Sequence, residues 1–495
     1  MTAHETTSPD CRDTVFRPAL WSVVPRSIWP VLFGVVLAYL IQEFLAPELS
    51  GFSSLLVFAG INIILAVSLN IVNGYAGQFS IGHGGFMALG GYLGAAAVYY
   101  GSYRLFGDFS FRGGWLSYEG PARNAPQMPI DSGELLFLGG CIFGGLVAAA
   151  AGWLVGLPSL RLRGDYLAIV TLGFGEIVRV LLEGTPSQIG PRGLSASDTA
   201  TLNQTPFPFL LWKTGGAQAF NGLPPYASTF WIYVWVAITL AVAIRVKYSG
   251  YGRSLLSIRE DEVAARSVGV NVTRYNVRAF MLSAFFAGVA GVLTALNIGQ
   301  IKAGDLGFQR SFEIVIMVVL GGLGSISGAV LAALLLTVLP ELLRDPPSLV
   351  PYGLPIIALI ALVIWLRADR KVRAIIILIL VCAAYEGVRH GAMLLNIRLA
   401  DYRMIFYALT LIVLMILRPQ GLFGVHEVWD VWPLKNLRAS SQSIGIFSKI
   451  RTVWLFLMTG RTNVPRRAPA IIGVGEPATR PSLDLIDHAT PGDFE

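Results

Sequence analysis

Charge is scarce in this sequence: 14% of its 495 residues are Asp, Glu, Lys or Arg, against about 25% in a typical soluble domain. That shortage excludes a water-covered surface for most of the chain. Cysteine is nearly absent as well. Cys11, Cys141 and Cys382 have no Cys-x-x-Cys spacing and no clustered histidines beside them, so neither a disulfide framework nor a metal site is expected. The dipeptide Gly-Lys never occurs, which removes the GxxxxGK[ST] phosphate loop, and HExxH and GxSxG are missing too. No catalytic residue or cofactor is therefore expected, and the chain should not hydrolyse ATP itself. A formal charge of +7 raises the question of nucleic acid. The basic residues fall in short loops and the C-terminal tail, as they do beside membrane helices, and no nucleic-acid partner is expected.

What is abundant is apolar sequence: 54% of residues are hydrophobic and the mean hydropathy is +0.62. A bilayer core needs about 20 apolar residues per helix. Apolar runs recur at about 28–47, 51–72, 84–100, 135–157, 166–183, 229–246, 279–298, 311–322, 326–343, 352–366, 374–388 and 403–417. The first is too long for a cleaved signal peptide. The fold class expected is all-α, a polytopic membrane protein of about 10–12 transmembrane helices. Near 311–343, Gly321, Gly322, Gly324 and Gly328 break the apolar run into a pair that either crosses twice or dips in and returns; such breaks are tolerated where protein surrounds them. The expected organisation is a segment 1–27, a membrane domain 28–424 with an additional helical hairpin at about 345–400, and a basic, partly disordered tail 425–495. Basic residues at 12–26, 161–163, 245–278 and 367–373 put both termini in the cytoplasm. Loops 101–134 and 184–228, rich in Gly, Pro and Ser, lack a helical period and would face the other side.

The stretch KYSGYGRSLLSIREDEVAARSVGVNVTRYNVR at 247–278 is long and highly charged for a loop in a helical bundle. It reads as short amphipathic helices with Gly269 as a stop, of a kind that docks into a groove on a soluble partner; a positive-inside anchor is the simpler reading. Polar residues inside the membrane are costly and usually face a cavity or the bundle interior. On that ground Asn73, Gly77, Gln78, Ser80, His83, Glu176 and Glu313 are candidates for a translocation path. Residues 74–83 suggest an unwound backbone whose amides meet a substrate carboxylate. His83 by itself reads more simply as a structural histidine, and Gly90 and Gly94 as helix packing. Glu176 either pairs with Arg179 on the same helix face or lines a path, and Glu313 reads as an interface residue.

Five stretches in order resemble one family: NGYAGQFSIGHGGFMALGGY (73–92), RLRGDYLAIVTLGFGEIVRVLL (161–182), SIREDEVAARSVGVNVTRY (257–275), EIVIMVVLGGLGSISGAVL (313–331) and RPQGLFG (418–424). The family is the LivM-type permease of branched-chain amino-acid ABC importers, with urea-type permeases as near relatives. DYRM at 401–404 is more similar to the amino-acid branch. The resemblance implies an ATPase-coupling loop carried by Arg253, Arg259, Glu260, Asp261, Glu262, Ala264, Ala265 and Gly269. Val263 stands where that family's coupling signature has glutamate, with Glu262 one residue earlier. It also implies the partners: two cytoplasmic ABC ATPase subunits, a second, LivH-like permease and a periplasmic solute-binding protein, around a permease in the bacterial inner membrane working by alternating access. A urea or short-amide permease of the same family, and a secondary transporter needing no ATPase, are the alternatives. The sparse intramembrane carboxylates count against the latter.

Overall fold

The computed structural model describes residues 29–45, 53–107, 109, 111–117, 131–159, 165–190 and 196–344, with positions 412, 421, 424 and 427. The segment 1–27, the hairpin expected at 345–400, the last span apart from position 412, and the tail apart from Glu427 lie outside the described residues.

The chain is an all-α membrane protein. Helices α1 (Trp29–Leu40), α2 (Ser53–Asn70), α3 (His83–Phe106), α4 (Ser132–Ser159) and α5 (Asp165–Glu183) come first. Short helices α6 (Ala196–Gln204) and α7 (Phe207–Leu210) precede α8 (Thr229–Tyr248). Then follow α9 (Gly250–Glu260), α10 (Glu262–Ser267), α11 (Val272–Ile298), α12 (Phe308–Gly321) and α13 (Ile326–Arg344). Among the described residues four stretches, 54–75, 132–157, 229–248 and 272–298, are helical, long and apolar enough to cross a membrane.

Lipid tails are as apolar as leucine, so helices gain little by hiding leucine from them and associate instead through close packing of small residues. The α3–α4–α11 core follows this rule. Gly90 approaches Gly288 so nearly that a Cβ at position 90 would collide with the Gly288 backbone, and the Gly144 carbonyl lies 2.9 Å from the same point. One turn on, Gly94 faces Val292 and the Gly140 carbonyl, and a Cβ at Gly145 would lie 2.7 Å from Phe285. Larger side chains turn outward: Leu146, Trp153 and Leu154 on α4, and Ile169, Ile177 and Val180 on α5, are exposed in this single chain.

At the end of the bundle away from α9 and α10, three tyrosines of α3 fasten the connections. The Tyr92 hydroxyl donates to the Ile301 carbonyl at 3.2 Å, Tyr99 to Ile189 at 3.1 Å, and Tyr100 to Lys213 at 2.5 Å. A short antiparallel pair, β1 (Phe220–Asn221) with β2 (Gln300–Ile301), joins the two connections there. The 184–228 stretch does contain helices, contrary to its sequence reading. α6 is anchored by one buried side chain, Leu202, and by Arg104 donating to the carbonyls of Leu202 and Thr205 at 3.2 and 2.5 Å. A helix anchored at such points rather than along a continuous apolar face leaves no apolar period to read.

Exchanging Gly90 for alanine should destabilise the bundle by about 1–3 kcal/mol through overpacking. Gly139→Ala on α4, where a Cβ meets nothing within 4 Å, should be neutral or slightly stabilising. Thermal unfolding in mild detergent, followed by dye labelling of the buried Cys141 in a chain with Cys11 and Cys382 changed to serine, checks the contrast; equal midpoints would refute it.

Candidate functional site

Two interrupted helices meet near the end of the bundle that carries α9 and α10. The first interruption follows α2. The chain widens into a π-turn over Ile71–Tyr75, with Ala76 N–H donating to Ile71 O at 3.3 Å and Gln78 N–H to Val72 O at 3.2 Å. Residues 77–82 then have no regular structure before α3 begins. Gly77 has φ +68°, and a Cβ there would lie 2.8 Å from the Arg259 side chain. Side chains answer the backbone groups that the break leaves open. Asn73 accepts from Ser80 N–H at 3.2 Å, Thr171 Oγ1 from Ile81 N–H at 3.1 Å, and Ser311 Oγ from Gly84 N–H at 3.0 Å. In this conformation the amides at 78, 80, 81 and 84 are therefore occupied within the protein. The Gln78 Oε1 is buried and has no hydrogen-bond partner among the described residues. His83 is buried with its Nε2 2.9 Å from Ser68 Oγ.

The second interruption is the turn 322–325 between α12 and α13, so the pair expected near 311–343 is an antiparallel hairpin with ends at Phe308 and Arg344. Asn70 reads this turn from both sides: its Oδ1 accepts from Gly324 N–H at 2.9 Å and its Nδ2 donates to Ser325 O at 3.0 Å. Gly74 packs on Gly324, since a Cβ at position 74 would lie 2.5 Å from the Gly324 nitrogen. The two breaks thus stabilise each other.

The helices α9 and α10 attach here. Ser249 caps α9 by accepting from Gly252 N–H at 3.1 Å. Arg259, near its end, donates to the Gly74 carbonyl at 2.7 Å. Asp261 caps α10 by accepting from Val263 and Ala264 N–H at 2.8 and 3.1 Å. The end of α10 is a Schellman turn: Val270 N–H donates to Ala265 O at 3.1 Å, Gly269 N–H to Arg266 O at 3.0 Å, and Gly269 has φ +85°. Buried Ala265 packs with Ile258 and Val272. Glu262 pairs with Arg266 one turn along. Arg253, Glu260, Asp261, Ala264 and Gly269 face outward, and Val263 and Val268 are 68% and 77% exposed.

Lys247, at the end of α8, donates to the Gly324 carbonyl at 2.9 Å and forms an ion pair with Glu427. Glu427 is 1% exposed and accepts from the N–H groups of Ile326 and Ser327 at 2.9 Å each and from Ser327 Oγ at 2.5 Å. It therefore caps the N-terminus of α13. Burial raises its pKa, but the Lys247 charge and the hydrogen bonds from Lys247 and Ser327 outweigh that and hold the carboxyl below its usual range.

The two remaining carboxylates lie elsewhere. Glu176 accepts from Phe308 N–H at 2.8 Å, capping α12, and pairs with Arg179 at 2.7 Å, which also holds Glu183 at 2.7 Å. Glu313 pairs with Arg310 at 2.9 Å, and Arg310 also donates to Asn62 Oδ1 at 2.6 Å. Among the described residues no group of three or more His, Cys, Asp or Glu is placed to hold a metal ion.

The family model for the branched-chain amino acid transport system permease component matches residues 51–346, which hold both breaks and the helices α9 and α10. The chain belongs to this permease family. Among its relatives, the high-affinity branched-chain amino acid transport system permease protein LivM of Salmonella typhimurium is 39% identical over 295 residues, 58% of this chain and 62% of its own length. LivM of Escherichia coli K12 is 38% identical over the same shares. The LivH permease of that strain is 25% identical over 277 residues, 55% of this chain and 78% of its own length. The chain thus spans less than two thirds of the length of these two LivM proteins. No solved structure matches it significantly.

Within the permease, the junction gathers Asn73, Gly77, Gln78, Ser80 and Arg259, and leaves Glu176 and Glu313 to their own ion pairs. Sequence reasoning missed Asn70, Lys247, Arg310 and Glu427. Lys247 counts only as one more flanking base, and Asn70 looks like part of an apolar run. Glu427 follows directly after the RPQGLFG stretch, but nothing in the order of residues points to a lysine 180 positions away. Replacing Asn70 by alanine strands a buried N–H and a buried C=O, at a cost of about 1–3 kcal/mol each. The permease carrying Asn70→Ala should unfold at a lower temperature in the same Cys141 assay, and an unshifted midpoint would show that the two breaks do not depend on each other.

Proposed function

We propose that this chain is the membrane-spanning permease subunit of an ATP-driven importer that carries branched-chain or related amino acids across the bacterial inner membrane. The observation that carries the reading is the pair α9–α10. It projects the apolar side chains Val263 and Val268 outward while Arg259, on the same element, holds the broken helix through Gly74. An element exposed at one face and hydrogen-bonded to a helix break at the other can pass a push from a soluble partner into the membrane domain.

In this proposal two ATPase subunits bind the α9–α10 face from the cytoplasm, where both chain termini also lie. ATP hydrolysis belongs to those subunits, because this chain has no phosphate loop. A second, LivH-like permease completes the membrane unit, and a periplasmic binding protein delivers the solute to the end fastened by Tyr92, Tyr99 and Tyr100. The translocation path runs past the 76–82 break. Gln78, with its unmatched carbonyl oxygen, is the foremost candidate for contact with solute, and Asn73 and Ser80 shape the loop around it. His83, bonded to Ser68, supports the wall from behind. Glu176 and Glu313, each paired to an arginine, hold α5 and α12 in place. Alternating access needs two states that bind the partners differently. The junction of α2, α9 and the 322–325 turn is where that difference enters.

A mild-detergent pull-down of the tagged chain from native membranes should recover ATPase subunits and a second hydrophobic permease; a chain recovered folded and alone would point to ion-coupled transport instead. In the assembled importer Gly269→Leu places a side chain in the left-handed region, at about 1–2 kcal/mol of strain. It should lower solute uptake per ATP hydrolysed while membrane levels of the chain hold. Normal uptake by this variant would sink the coupling role of α10.

A further inference from the structure

The residue that grips the junction most completely lies beyond position 346, where the family match ends. Glu427 contacts the turn, the start of α13 and α8: the Ser325 hydroxyl at 3.4 Å, the N–H groups of Ile326 and Ser327, the Ser327 hydroxyl, and Lys247. A carboxylate at a helix N-terminus is favoured by the open N–H groups and the helix dipole. A hydrogen bond to an ionised carboxylate is also stronger than one between neutral groups. Gly421, at φ +76°, also lies against the turn, so tightly that a Cβ there would lie 2.6 Å from the Gly322 nitrogen and 2.7 Å from the Val319 carbonyl.

The turn held by Glu427 is the one Asn70 reads from α2, and Arg259 of α9 lies beside it, 3.0 Å from where a Gly324 Cβ would be. Lys247 completes the ring by bonding Gly324 O. Loosening Glu427 therefore frees the α13 cap and leaves Lys247 a largely buried cation facing the Gly324 carbonyl and the Tyr75 ring, with no carboxylate. A buried charge deprived of its partner is strongly destabilising.

We propose that Glu427 is a positioning residue: it clamps the 322–325 turn between α8 and α13 so that the α2 break and the coupling helix α9 move as one unit. Its consequence for transport rests on the importer reading above, but the clamp itself does not.

Two variants test it in the full-length chain purified in detergent. Glu427→Ala removes the clamp outright. The double variant Lys247→Met/Glu427→Met removes it without leaving a buried charge unpaired, and so remains informative if the single variant fails to fold. Hydrogen–deuterium exchange is read on peptides covering 322–330 and 70–78. Loss of the cap should speed exchange about tenfold over 322–330, and a clamp that unites the junction should speed it also over 70–78, whose hydrogen bonds to the turn run through Asn70. Wild-type exchange over 70–78 in every variant that folds overturns the proposal, since Glu427 would then be a local helix cap only. In the assembled importer the same variants should move about fivefold less solute per ATP or worse, and an unchanged ratio likewise overturns it. A wild-type chain that recruits no ATPase would remove the importer reading, while the exchange measurement on the chain alone would still decide the clamp.

Discussion

A helix that stops inside a packed bundle leaves buried backbone groups away from water, so protein must answer them. This chain stops two helices in the same place. The break after α2 and the turn between α12 and α13 meet through Asn70, which accepts from Gly324 and donates to Ser325, and through Gly74, which lies directly on Gly324. Neither break is self-sufficient. Because each satisfies the other, a shift at one is a shift at both.

Much of the remaining architecture follows from where that junction must sit. The glycine-rich packing of α3, α4 and α11 forms a dense block on which α3 can start directly after the break. α5 closes one side through Thr171 and Glu176, binding the 77–82 loop with one residue and the start of α12 with the other. The tyrosines of α3 then fasten the far end.

The charged residues divide by the same logic. Where water is present, Glu262 and Arg266 pair on the α10 surface, an arrangement worth little in energy. Lys247 and Glu427 pair in a buried setting, where breaking the pair costs far more than making it gains. Such a pair serves less to stabilise the fold than to fix which elements touch. Arg259 belongs to the second kind: charge alone would place it on the exposed surface with Arg253, yet its guanidinium is turned inward onto Gly74.

The order of residues by itself determined the class of the protein and most of its helices, because apolar length and glycine spacing are local quantities that any stretch carries within itself. It also marked the α9–α10 element, with Gly269 as the stop, since caps and stops are set by a few adjacent residues. Glu176 with Arg179 was legible for the same reason, being one turn apart. What only the tertiary structure decided are the contacts between distant stretches: Asn70 with Gly324, Arg259 with Gly74, Lys247 with Glu427, and the helices in 184–228 that hang on Leu202 and Arg104. These lie 98 to 254 positions apart, and no periodicity encodes them. They exist because buried polar groups must be paired, and the partner is whichever group the packed bundle brings within reach.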